Sequence, residues 1–241
     1  MFQSNVVSTV LRTLGVVSLL LTGLLSVVVS DASAATKSPS GLYQEAIANA
    51  GQKNFVVINM SGTNAEGKFR DVWHSNPHSG SLVESVEHPG GTGHVYITVL
   101  DRVVYEKIDT AQWKYAGLPA KYKSYENKWF VVRKSSASYK AFLLQEVIYG
   151  ALLIPINGTV FTIQDNTKLH GVKVIGLEGA LTGSNPAIPV TLCVSEGKKP
   201  LPLEVSVPRT AKNKTNAWTA TYSFRSSASA IAKPTTSLAF P

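Results

Sequence analysis

Period-two alternation, broken at short intervals by Gly, Asn and Pro, runs through most of this chain beyond residue 54. It constrains the fold more than any other feature. "NFVVINMSG", "KFRDVWHS", "SLVESVEH", "HVYITVLD" and "VVYEKI" follow one another, separated by "TNAEG", "NPHSG", "PGGTG" and a tight turn at Asp101 and Arg102. Strands joined by such loops form an antiparallel meander. The last third repeats the pattern in "TVFTIQD", "KLHGVKVIGLEG", "PVTLCVSEG", "PLEVSVPR" and "AWTATYSFR". In the last of these, Trp218, Ala220, Tyr222 and Phe224 fall on one face and Thr219, Thr221, Ser223 and Arg225 on the other. An apolar face backed by a polar one describes a sheet covered on a single side.

Helices interrupt this pattern at three places. "GLYQEAIANAG" (41–51) has Leu42, Ala46 and Ile47 on one face and Gly51 as a stop. Asp109 or Thr110 can cap a short helix that Gly117 and Pro119 end, with a second turn at 120–125. "SSASYKAFLLQEVIYGALL" is apolar around most of its circumference, which predicts a helix over 139–153 that is buried on several sides or covers an apolar cavity. About ten strands and two or three helices, with no repeat and no linker between them, imply one α+β domain built on a large curved sheet.

The start of the chain is of a different kind. Arg12 precedes the apolar run "VVSLLLTGLLSVVV", and Ala32, Ser33 and Ala34 follow it with small-residue cleavage chemistry. This reads as a signal peptide over 1–34, cleaved after Ala34, with an uncleaved membrane anchor as the alternative. Residues 35–40 are a linker, 41–225 the folded domain and 226–241 a Ser, Ala, Thr and Pro rich loose tail. The expected location is extracytoplasmic, secreted or in the cell envelope. A net charge of +8 then favours anionic membrane or wall surfaces as partners rather than nucleic acid. Cys193 is the only cysteine, so no intramolecular disulfide forms and stability must come from a core. Its alternating surroundings read as a half-buried strand position. N-glycosylation sequons begin at Asn59, Asn157 and Asn213.

Catalytic patterns are absent. His74, His78, His88 and His94 lie close in sequence, and the last two flank one hairpin turn. They lack the ligand spacing that makes a zinc site specific, and solvated turn histidines are the favoured reading. "HPGGTGH" precedes a strand rather than the helix a phosphate loop needs. The carboxylates are sparse and scattered along the chain, which gives no paired acid–base site. The sequence therefore reads as a binding protein without catalytic residues, metal or cofactor. The candidate site is an apolar cavity for a lipid or other amphiphile. Phe142, Leu143, Val147 and Ile148 on the long helix would face it, opposed by Trp218, Tyr222 and Phe224 on the last strand. The alternative is a side-chain-filled core in a non-transporting envelope protein that acts through its basic surface.

The order of parts adds a family expectation. An export signal, a short helix and a meander lead into "VYITVLDRVVYEKID", then "WKYAGLPAKYKSYENKWFVV", an apolar helix, and late strands through "VSEGKKPLPLEVSV". Tyr105 and Lys107 before the insertion, Gly117, Leu118 and Pro119 inside it, Lys128 and Trp129 after it, and the "GKKPLPLEV" turn carry the likeness. Over about 41–225 the chain resembles the actinobacterial LppX/LprG-type envelope proteins, relatives in fold of the LolA/LolB carriers. The resemblance implies a strongly curved antiparallel half-barrel with helices closing its concave side, and a role in carrying or presenting lipids. It also implies that the segment from Tyr115 to Tyr125 is a closing element with Tyr and Trp inward and Lys outward. Many members carry a lipid-anchoring cysteine after the signal, where this chain has Ala34 and Ala35.

Overall fold

The computed structural model describes residues 38–64, 67–76, 78–135, 139, 156–164, 167–181, 188–210, 217–225 and 231–239. The proposed signal peptide and nearly all of the helix expected over 139–153 lie outside them.

Helix α1 (Pro39–Gly51) starts as its residues dictate. Pro39 occupies the first turn, and the Ser38 hydroxyl accepts from the Gly41 N–H. Its buried stripe is Leu42, Ala46 and Ala50. The meander follows as β1 (Phe55–Thr63), β2 (Lys68–Ser75), β3 (Ser79–His88), β4 (Gly91–Leu100) and β5 (Val103–Ile108). Helix α2 (Thr110–Tyr115) and a 3₁₀ turn (Ala120–Tyr125) lead to the short β6 (Phe130–Val131). The later strands are β7 (Ile156–Gln164), β8 (Lys168–Leu169), β9 (Val172–Lys173), β10 (Ile175–Leu181), β11 (Pro189–Val194), β12 (Pro202–Val207), β13 (Ala217–Arg225) and β14 (Leu238–Ala239).

Twelve of these strands form one sheet in the order β14-β6-β5-β4-β3-β2-β1-β13-β12-β11-β10-β7. It is α+β and antiparallel apart from the β14–β6 pair, and it curves as a half-barrel without closing on itself. The last long strand returns to the first: β13 pairs with β1 from Phe55↔Arg225 to Thr63↔Ala217. Two meanders are thereby joined into a single sheet.

Two local expectations change. "KLHGVKVIGLEG" is not one strand, because His170 and Gly171 both take positive φ and turn β8 back on β9 in a separate two-stranded ribbon. The C-terminal stretch read as a loose tail contains β14, which pairs in parallel with β6 and whose Ala239 carbonyl accepts from the Tyr125 hydroxyl. The sequon at Asn59 lies in the middle of β1, flanked by β2 and β13.

The core is the concave face. Alternation places Val56, Ile58 and Met60 of β1 on it, with Phe69 and Trp73 of β2, Leu82 and Val86 of β3, and Val95, Ile97 and Val99 of β4. On the other wing it continues through Trp218, Ala220 and Tyr222, then Val205, Leu192 and Leu177. Helix α2 rests on this face over β4 and comes so close that only glycine fits below it. A Cβ on Gly93 would stand 2.8 Å from the Gln112 Cα.

The β4–β5 hairpin turns through Asp101 and Arg102, both with positive φ (48° and 62°). This is the two-residue turn that suits strand twist, occupied at its second position by a residue that bears a left-handed penalty. Arg102→Gly is expected to raise stability by roughly 1 kcal/mol, read as a higher denaturant midpoint at unchanged slope. Gly93→Ala is expected to lower it by at least ~1 kcal/mol, because the backbone of α2 must move away from β4.

Candidate functional site

The concave face is the candidate site, and three of its sequence-designated residues can be placed. Trp218 and Tyr222 are buried and Phe224 is half-buried. Their β1 partners on the same face are Gly62, Ile58 and Val56. Burial drives the Tyr222 phenol above its usual range, and the nearby Tyr43 adds to this. Phe142, Leu143, Val147 and Ile148 lie outside the described residues.

Two elements cover the β4 end of this face. The Asp109 carboxylate caps α2 by accepting from the Gln112 N–H at 2.8 Å, and it also meets the His94 ring nitrogen at 2.7 Å. Burial opposes its charge, but the Gln112 N–H and the His94 contacts prevail and hold Asp109 below the usual carboxylate value. Inside the segment, Trp113 is buried, Leu118, Tyr122 and Tyr125 pack on the core, and Lys114, Lys121 and Lys123 are exposed. This matches the inward aromatics and outward lysines implied by the resemblance, except at Tyr115. That ring is 43% exposed and stacks on His88, with centroids 3.4 Å apart.

His88 and His94 are structural rather than solvated turn residues. Alternation sends them to opposite faces of the β3–β4 hairpin. His88 Nε2 contacts the Gln112 side-chain oxygen at 2.6 Å on the concave side, and His94 pairs with Asp109. The spacing that brought them near in sequence therefore separates them in space. On the convex side the Lys107 ammonium lies 4.3 Å from the centre of the Tyr96 ring, with Trp129 alongside. Cys193 is buried, and desolvation, followed by the nearby Glu204, raises its thiol pKa.

Sequence reasoning missed the acidic groups of the concave face. Asp71, Glu84 and Glu106 are buried among its apolar side chains. Asp71 and Glu84 face each other directly across the β2–β3 ladder. Glu106 lies on β5 opposite Ile97 and Phe130. Desolvation pushes Asp71 up to about 8 and Glu106 up to about 7. Linear scatter concealed the pair. The alternation in "KFRDVWHS" and "SLVESVEH" carries the signal, since Asp71 shares a face with Phe69 and Trp73, and Glu84 shares one with Leu82 and Val86.

No family model matches this chain, and no curated protein matches it by sequence. Among solved structures it is similar to LprF from Mycobacterium bovis at 11% identity and a TM-score of 0.49. That match covers 81% of this chain and 95% of the other. It is also similar to an uncharacterized conserved protein from Thermus thermophilus at 10% identity and a TM-score of 0.42, covering 83% and 97% respectively.

The buried carboxyls make stability depend on pH. Unfolded, they ionise near 4, whereas folded they keep their protons to about 7 and about 8. The folded state binds more protons across that interval. Their contribution is therefore fully present below about pH 4 and is lost as pH rises through 7 and 8. Asp71→Asn is expected to flatten the fall in stability between about pH 5 and pH 9 by up to several kcal/mol. Chemical denaturation across that range checks this, with an unchanged profile counting against it.

Proposed function

We propose that this chain is an exported envelope protein that binds the apolar part of a lipid or other amphiphile on its concave sheet face, and that it is a binder rather than an enzyme. The supporting observation is the shape of the sheet. Nine of its twelve strands, from β10 to β5, present one largely apolar face from Leu177 to Ile108, and the edge strands β14 and β7 do not meet. A sheet open between its edges leaves an entrance by which an alkyl chain can reach the inner face. Burying an alkyl chain there is worth roughly 0.8 kcal/mol per CH₂, enough for twelve to sixteen carbons to hold firmly. Export rests on the residue pattern of 1–34, and cleavage after Ala34 would release the domain.

One observation favours a second reading. Leu177, Val104 and Val194 are already fully buried without a ligand, as in a domain whose trough is filled by its own side chains. Such a protein would act through exposed Lys114, Lys121, Lys123 and Lys128, which crowd the α2 end and suit polyanions of a membrane or wall.

Native mass spectrometry of the exported protein separates the two. The first reading expects a discrete adduct of lipid mass on the intact chain, removed by organic extraction, and an N-terminus at Ala35 or Thr36. A homogeneous unadducted mass, together with no uptake of an added fatty-chain probe, would favour the second. Met1 retained in a membrane fraction would show the segment to be an anchor.

A further inference from the structure

The concave face carries acids where its alternation calls for apolar residues. Asp71 and Glu84 are 1% and 2% exposed. As register partners their Cβ atoms stand roughly 5 Å apart. Phe69 and Trp73 flank Asp71 along β2, Leu82 and Val86 flank Glu84 along β3, and Met60 and Val95 continue the row on either side. Among the described residues, both carboxylate oxygens of Asp71 are buried with no hydrogen-bond partner. The ion pairs Lys68–Glu87, His94–Asp109 and Lys173–Glu196 lie elsewhere. Two like groups facing each other across a ladder oppose pairing, and a buried polar atom without a partner costs free energy. Both oxygens of Asp71 stand among apolar side chains, with a second carboxyl opposite on the neighbouring strand.

Resting on the binding function proposed above, we propose that Asp71, with Glu84 across the ladder, forms a polar subsite within the trough that receives the ammonium end of a cationic amphiphile. Both oxygens of Asp71 accept once the carboxyl gives up its proton, so the partner that would take the proton's place is a cationic donor. A primary ammonium supplies three donors and the opposite charge on a compact head. Its alkyl chain would continue over Phe69, Trp73 and Trp218, which share the face. A chelated metal ion fits less well, because no set of three or more His, Cys, Asp or Glu side chains suited to a metal occurs among the described residues.

Displacement of an apolar fluorescent dye from the exported chain by dodecylamine, 1-dodecanol and dodecanoate, near neutral pH, tests this. The amine is expected to bind at least about tenfold more tightly than the alcohol, and dodecanoate more weakly than either. Asp71→Asn and Glu84→Gln should each erase the amine's advantage while 1-dodecanol still binds. Glu87→Gln, at an exposed position of the same strand, should preserve it. Equal binding of the three head groups by the parent, or an advantage that survives both substitutions, would overturn the subsite and leave the apolar trough standing. Failure of the parent to bind any of the three would overturn the binding function itself. The comparison of head groups on the parent needs no variant, so it decides the matter even if a substitution impairs folding.

Discussion

The pairing of β1 with β13 holds the two halves of this molecule together. Each half is a local meander whose strands find one another through short turns. Either alone would leave a long strand edge unpaired and an apolar face only partly opposed. Nine residue pairs from Phe55↔Arg225 to Thr63↔Ala217 merge them. The merged sheet is wide enough to curve around its apolar side. Contacts so distant in sequence carry a loop-closure cost before they return anything, so this ladder is expected to form late in folding. It also sets the concave face, since a slip of one residue would turn Trp218 and Tyr222 outward and Thr219 and Thr221 inward.

The rest of the architecture can be understood as management of that face. Helix α1 contributes a stripe of small and apolar residues, and its Asn49 amide is tied to the Pro200 carbonyl on the far wing. Helix α2 is seated on β4 by Gly93 and by the Asp109 cap, which His94 reinforces from the other face of the sheet. The convex side is treated differently. There Tyr96, Lys107 and Trp129 form a cation–π group at the surface rather than a buried layer. The acids Asp71, Glu84 and Glu106 stand out against this division. A sheet selected for packing alone would carry Val or Leu at these positions, with lower cost and less dependence on pH.

Much of this was legible in the residues. Alternation in the five meander segments and in "AWTATYSFR" gives strands whose bounds differ from the structure by at most three residues, and the fold class follows from their order. Asp109 as a cap and Gly117 as a stop were readable because capping is local chemistry. What escaped depended on partners. The β14–β6 pair involves two residues on each side, too few to impose a period. The His170–Gly171 turn was hidden inside an apparently continuous strand, because a non-glycine residue supplies one of its positive φ angles. The histidines near the β3–β4 turn were close in sequence but sent to opposite faces by the pleat. The acidic pair was the reverse case, thirteen residues apart along the chain and adjacent across the ladder.

The most direct test is whether the concave face, rather than the convex one, meets an amphiphile. The four tryptophans report on it separately. Trp73 and Trp218 lie on the concave face, Trp113 lies on α2, and Trp129 lies beside Tyr96 on the convex side. Titration of a nitrogen-15-labelled chain with a single-chain amphiphile below its micelle threshold is predicted to shift the indole signals of Trp73 and Trp218 and to leave that of Trp129 in place. Movement of Trp129 alone, or of none of the four, would contradict the account.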